Sequence, residues 1–367
     1  MRIGIVTIHK ANNYGAVLQA TATGIYLKKY GSVFYINNND SKYLQEQLNL
    51  IRFSFSIKGI LRTLKDILRV KNRYYSLNKF KKHFEKYYNE LDVKNNISEI
   101  KKLNVIVCGS DQIWNPQCTN GNDDINGYYF LDFAGEETIL FSYASSAGSY
   151  QYDDSQLAKI KSYLNKFSKI GVREIDLSNT LNKKINVNSQ VVLDPTLLIS
   201  KEDWDNLPRE KIKNLPQKYI FVYIINHNVN TDSIIKEISS KYNLKIVSLT
   251  QEISPNHNAD IYIKDVGPLS LIELIQKSNY VVTDSFHGCC ISITYEKQFL
   301  VIHPGKGKIN RISSLFDALN ITENNILNEK TDIENINDID YDILNKNLIS
   351  LRSSSVSLID EAIDSKI

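Results

Sequence analysis

Short apolar runs alternate along this chain with polar turns and helix-periodic stretches, the pattern of a parallel α/β fold. Residues 2–8, RIGIVTI, predict an opening strand. Asn12, Asn13 and Gly15 form a turn after it, and an apolar helical pattern follows up to Gly31. Residues 33–36 predict the next strand, so the chain opens with a βαβ unit. Further strands are predicted over 105–108, 138–143, 169–172 and 191–193, with a helix over 156–167. Pro195, Pro208 and Pro216 then interrupt any long element, and a second α/β run begins at Tyr219. Its strands are expected at 219–225, 245–249, 280–282 and 299–302, and its helices near 231–242, 269–277 and 289–295. A last helical pattern covers 341–363.

This alternation predicts two Rossmann-like domains facing a cleft. The first covers 1–195, the second 196–335, and 336–367 form a C-terminal helix packing back on them. Within the first lies a basic helical insert near 57–90. Ile57, Ile60, Leu61, Leu64, Ile67 and Leu68 recur there at helix-face spacing among lysines and arginines. Two readings fit. The favoured one packs the apolar side on the N-terminal domain; the other rests 57–88 on an anionic membrane surface.

At 367 residues, with a hydrophobic share of 42%, the chain is long and apolar enough for two cores. A net charge of +3, without an RNA-binding signature or zinc-finger spacing, argues against a nucleic-acid partner. Cys108, Cys118, Cys289 and Cys290 show no disulfide framework, and with no HExxH or paired CxxC no metal is expected. MRIGIVTIHK lacks the apolar run of a secretory signal, and no stretch approaches the ~20 apolar residues of a membrane span. The expected location is therefore the cytoplasm.

The chemistry-bearing residues cluster at strand ends. In NYVVTDSFHGCC, His287 stands where a buried strand hands over to a helix, a position at which helix N–H groups point at bound anions. A structural histidine capping the turn is the bland alternative. Arg173 directly follows a strand in IGVRE, suited to a carboxylate or phosphate, or else to a salt bridge with Glu174 or Asp176. Lys306, Lys308 and Arg311 gather before the helical RISSLFDAL. In GSDQIWNP, Ser110, Asp111, Gln112, Trp114 and Asn115 set donors and acceptors beside an aromatic face, a combination suited to a sugar ring; the alternative buries Trp114 and uses Asp111 as a cap. Asn12, Asn13 and Tyr14 can shape a sugar site or a plain turn. GKGK lacks P-loop spacing and NNYG lacks the dinucleotide fingerprint, so neither ATP hydrolysis nor nicotinamide chemistry is supported.

Taken in order, IHKANNYGAVLQA, VIVCGSDQIWNP, SYASSAG, GVRE, VVLDPTLLI, VVTDSFHG and NRISSLFDAL resemble the polysaccharide pyruvyl transferase family over about residues 4 to 319. The resemblance implies a two-domain, GT-B-like fold. It also implies transfer of a pyruvyl group from phosphoenolpyruvate to a sugar of a surface polysaccharide or its precursor. Whether that acceptor is a sugar or a lipid-linked oligosaccharide is not read from the residues, and in the second case the enzyme would work at the inner face of the cell membrane. A pyruvate ketal forms, phosphate leaves, and no cofactor is needed. His287 corresponds to the family's motif histidine, expected to move protons, and Arg173 to an arginine expected to hold the donor.

The donor side, on the second domain apart from Arg173, would comprise Arg173, Ser285, Gly288, Lys306 and Arg311. The acceptor side, on the first, would comprise Asn12, Asn13, Tyr14, Ser110, Asp111, Gln112 and Trp114. One departure stands out: many members carry arginine two residues before the motif histidine, where this chain has Ser285, so a donor contact is missing or comes from Arg311 or Lys306. Two other functions compete, a GT-B glycosyltransferase using a nucleotide sugar and a non-catalytic glycan-binding protein.

Overall fold

The computed structural model describes the chain apart from residues 39–41, 54, 227–230, 256, 306–308, 328–335, 337 and 366–367. Its internal contacts divide it into two units. One comprises Met1–Gln47, Phe84–Ile199 and the C-terminal residues from Leu348; the other comprises Leu48–His83 and Ser200–Asn347.

Among the described residues, the first unit is built on a seven-stranded parallel sheet. Its strands are β1 (Arg2–Val6), β2 (Ser32–Asn37), β3 (Glu90–Asp92), β4 (Val105–Cys108), β5 (Ile139–Ser145), β6 (Lys169–Val172) and β7 (Gln190–Val191), in the order β3-β2-β1-β4-β5-β6-β7. The central strands are mostly apolar, as expected of a parallel sheet covered on both faces. All of β4 and β5 is buried, which explains runs such as VIVC with no polar alternation. The direction of winding reverses between β1 and β4, so the loops after these two strands flank the sheet's switch point.

The second unit repeats the plan. Strands β8 (Tyr219–Tyr223), β9 (Lys245–Leu249), β10 (Ile261–Ile263), β11 (Tyr280–Thr283), β12 (Phe299–Ile302) and β13 (Ile326–Leu327) form a parallel sheet in the order β10-β9-β8-β11-β12-β13. Its switch point lies between β8 and β11, and β11 pairs β8 from Tyr280↔Ile220 to Thr283↔Tyr223.

The predicted interior strands all form. The short edge strands β3, β10 and β13 and the helix Ile175–Ile185 were not anticipated, since edge strands of two or three residues have too little pattern to read. The helix expected from 289 begins three residues earlier, as Phe286–Thr294.

The basic insert departs from expectation in two ways. It forms the helices Ile57–Leu68 and Val70–Tyr87, but residues 48–83 group with the second unit instead of the N-terminal one. Arg69 Nη1 donates to the Gln251 carbonyl at 2.7 Å, Ser76 Oγ to the Val266 carbonyl at 3.2 Å, and Lys79 pairs with Glu210 at 2.9 Å. The apolar side expected to pack is the exposed one. The C-terminal helix runs Tyr341–Asp364. From Leu348 it belongs to the first unit, where Arg352 Nε donates to the Leu197 carbonyl (2.6 Å) and Leu193 N to Ser355 Oγ (3.0 Å).

Candidate functional site

Strand β11 delivers the motif histidine to the second unit's switch point, and each residue after it has a defined task. Thr283 Oγ1 donates to the Tyr223 carbonyl at the end of β8 (2.6 Å) and accepts from Ser285 N (3.0 Å). Asp284 ties the same two strand ends together, its carboxylate accepting from Ile225 N (2.7 Å), Asn226 N (2.8 Å) and Asn226 Nδ2 (2.6 Å). Burial pushes the Asp284 carboxyl up, against these donors, which pull it down. Ser285 is the N-cap of the Phe286–Thr294 helix: its backbone is extended and its Oγ accepts from Gly288 N at 3.3 Å. A short side-chain oxygen at 285 thus satisfies one of the helix's first N–H groups, which a guanidinium could not do.

Gly288 is required for close approach, because a Cβ there would stand 2.6 Å from Thr283 Oγ1. His287 sits in the first helical turn, inside the helix instead of in the loop before it. It is buried, with its ring edge-on to Phe286 (centroids 5.5 Å apart). Over Phe286, 5.8 Å from its ring centre, lies the guanidinium of Arg311 in the first turn of the Asn310–Leu319 helix. The phenyl ring thus gathers an imidazole and a guanidinium about one helix N-terminus. Lys306 and Lys308 lie outside the described residues.

In the first unit, Arg173 follows β6 and is buried in a carboxylate cage. Its Nη1 donates to Asp194 Oδ2 at 2.8 Å, and Asp111 and Glu174 each approach to 3.6 Å. Burial lowers the guanidinium's affinity for its proton; Asp194, then Glu174 and Asp111, more than restore it. Ser110, fully buried, donates to the same Asp194 oxygen (3.0 Å), and the other Asp194 oxygen accepts from Thr196 N (3.0 Å) and Oγ1 (2.7 Å). Arg173 thereby knits the loops after β4, β6 and β7, and an incoming anion would compete with three carboxylates already in place. The salt-bridge reading to Glu174 is realised, with Asp194 the nearer partner.

The sugar-facing reading of Trp114 is corrected. Its side chain is buried, stacked on Phe130 (5.1 Å, 9°), and its Nε1 donates to the Tyr129 carbonyl at 2.9 Å, so it belongs to the core. Asp111 takes a left-handed conformation (φ 75°), and its Oδ1 accepts from Gln112 N at 2.9 Å. Gln112 is half-buried and accepts through Oε1 from Asn115 Nδ2 (3.1 Å). Asn13 caps the Tyr14–Leu27 helix, with its Oδ1 accepting from Ala16 N at 3.2 Å; Tyr14 is buried, and Asn12 is half-exposed beside it.

Sequence reasoning missed His9, just beyond β1 at the first unit's switch point. Its Nδ1 lies 3.0 Å from the Thr7 carbonyl and its Nε2 3.0 Å from a Glu90 oxygen. Lys10 pairs with the other Glu90 oxygen. Burial raises the Glu90 carboxyl, and the bonds from His9 and Lys10 outweigh it and hold it below the usual range. The signal was available in IVTIHK, a histidine directly after a buried strand. Its partner was not, because Glu90 lies on the unforeseen β3.

Two Rossmann-like units, each winding outward from a central switch point, define the GT-B class of fold. A structure assigned as a UDP-N-acetylglucosamine 2-epimerase from Listeria monocytogenes is similar, with a TM-score of 0.50 at 9% identity over 98% of this chain and 90% of that one. UDP-GlcNAc 2-epimerase from Neisseria meningitidis bound to UDP-GlcNAc aligns with a TM-score of 0.46 at 11% identity over 99% and 94%. Comparison with curated proteins finds no significant match. Residues 13–304 match the polysaccharide pyruvyl transferase family, and the chain belongs to that family. Among the described residues no helix is long and apolar enough to cross a membrane.

Proposed function

We propose that this chain transfers the pyruvyl group of phosphoenolpyruvate to two hydroxyls of a sugar in a surface polysaccharide or its precursor, forming a cyclic ketal and releasing phosphate. Membership of a transferase family supports an enzyme. The observation that carries the reading is His287 in the first turn of a helix that starts at a sheet's switch point, with Arg311 across the Phe286 ring.

In this reading a protonated His287 gives its proton to the methylene carbon of phosphoenolpyruvate, while a sugar hydroxyl adds to C2 and surrenders its own proton to the imidazole. The second hydroxyl then attacks C2, the C2–O bond to phosphate breaks, and that hydroxyl's proton leaves through the same imidazole to the departing phosphate. Arg311 and the helix's first N–H groups hold the anionic ends. Arg173, already caged by carboxylates, holds loops in place instead of donor. In the first unit, the loops after β1 and β4 carry half-exposed polar groups, Asn12 and Gln112 among them, suited to hydrogen-bonding a sugar.

Phosphate release from phosphoenolpyruvate with a panel of galactosyl, glucosyl and mannosyl acceptors tests the reaction. His287→Ala should lower the rate by about 10²- to 10⁴-fold with the fold retained, and a wild-type rate would remove His287 from the mechanism. Thermal protection by a nucleoside diphosphate and none by phosphoenolpyruvate would favour sugar transfer instead.

A further inference from the structure

The Ile57–Leu68 helix is built inside out. Ile57, Ile60, Leu61, Leu64, Ile67 and Leu68 fall within an arc of about 120° at helical spacing. That arc points to solvent: Ile57 is 81% exposed, Leu68 76%, Leu61 58% and Leu64 52%. The opposite side carries Gly59 and Asp66, both buried. Asp66 anchors the helix, accepting three bonds from Arg52 (backbone N at 3.1 Å, Nε at 2.9 Å, Nη2 at 2.8 Å) and two from Arg69 (Nε at 3.3 Å, Nη2 at 2.9 Å). Phe53 and Phe55, packed edge to face at 5.0 Å, extend the apolar surface beyond the helix start, and both are exposed. A face of this size on a helix whose polar side is fastened inward is a surface made to be covered.

Charge identifies the cover. Lys58, Arg62 and Lys65 line one border of the apolar arc, and Lys71 follows at the start of the next helix. Lys65 has Glu252 at 3.8 Å; Asp66, the only acid in the helix itself, is buried and paired. A second copy of this chain would bring the same basic border against it and supply no complementary charge from the helix. An anionic lipid surface supplies both partners, acyl chains for the apolar arc and head groups for the cations.

We infer that the Ile57–Leu68 helix, with Phe53 and Phe55, docks the protein peripherally on anionic membranes, lying in the plane of the interface. This docking does not depend on which reaction the protein performs.

The full chain should sediment with vesicles of phosphatidylglycerol and phosphatidylcholine and far less with phosphatidylcholine alone. Binding should weaken between about 0.15 M and about 1 M salt as the Debye length falls from ~8 to ~3 Å. The double variant Leu61→Asp/Leu64→Asp should abolish sedimentation, and Lys58→Glu/Lys65→Glu should lower partitioning about tenfold or more. All four side chains are exposed, so circular dichroism should show both variants folded. No sedimentation with either vesicle, or sedimentation unchanged in the leucine variant, overturns the proposal. So does a wild-type dimer by light scattering that the leucine variant converts to monomer while vesicles go unbound, which would make a second copy the cover.

Discussion

Replacing Gly288 with alanine sets two effects of opposite sign against each other. Glycine inside a helix costs ~1 kcal/mol relative to alanine, so propensity alone favours the substitution. Against it, the new methyl would stand 2.6 Å from Thr283 Oγ1, 3.1 Å from Cγ2 and 3.2 Å from Cβ. Thr283 cannot turn aside cheaply: it is β-branched, and its hydroxyl is committed to the Tyr223 carbonyl and to Ser285 N. Overpacking costs ~1–3 kcal/mol, and a buried group left without its bond costs a similar amount. The clash wins, with a net loss of about 1–5 kcal/mol. In urea denaturation the midpoint should fall with the slope unchanged. In a Thr283→Ala background, where Oγ1 and Cγ2 are gone, the same substitution should become neutral or stabilising, and the double-mutant cycle should show strong coupling. A Gly288→Ala protein as stable as wild type, or a cycle without coupling, would refute the packing argument and leave Gly288 to the donor alone.

Two further outcomes follow from the buried ion pairs. Arg173→Ala should cost about 3–5 kcal/mol of stability by leaving Asp194 buried without its cation; a variant with an unchanged denaturation midpoint and only a raised KM for phosphoenolpyruvate would restore Arg173 to donor binding. At Asp66, burial raises the carboxyl, but the bonds from Arg52 and Arg69 outweigh it and hold it well below the usual carboxylate range. Its stabilisation is therefore complete above the ordinary value of ~3.9 and is lost as pH falls through the depressed folded value. The stability gap between wild type and Asp66→Asn should stay constant from neutral pH to about 4 and shrink below it. A gap that does not shrink would show that the carboxylate's charge is not what anchors the helix.

The alternation of apolar runs and helical periods determined two parallel α/β units, because a strand buried on both faces is mostly apolar along its length wherever it lies. It also determined that His287 follows a buried strand and that apolar residues line one side of 57–68, both properties of neighbours in the chain. Which way that side faces was settled only by the fold, through Asp66 meeting Arg52 and Arg69 beneath the helix. The fates of Arg173 and Trp114 were likewise decided at a distance. Asp194 reaches Arg173 and Ser110 from 21 and 84 residues away, and Tyr129 receives the Trp114 N–H from beyond an intervening turn. Periodicity records how a segment divides its faces between polar and apolar; what each face meets depends on contacts between segments far apart in sequence, which the chain acquires only on folding.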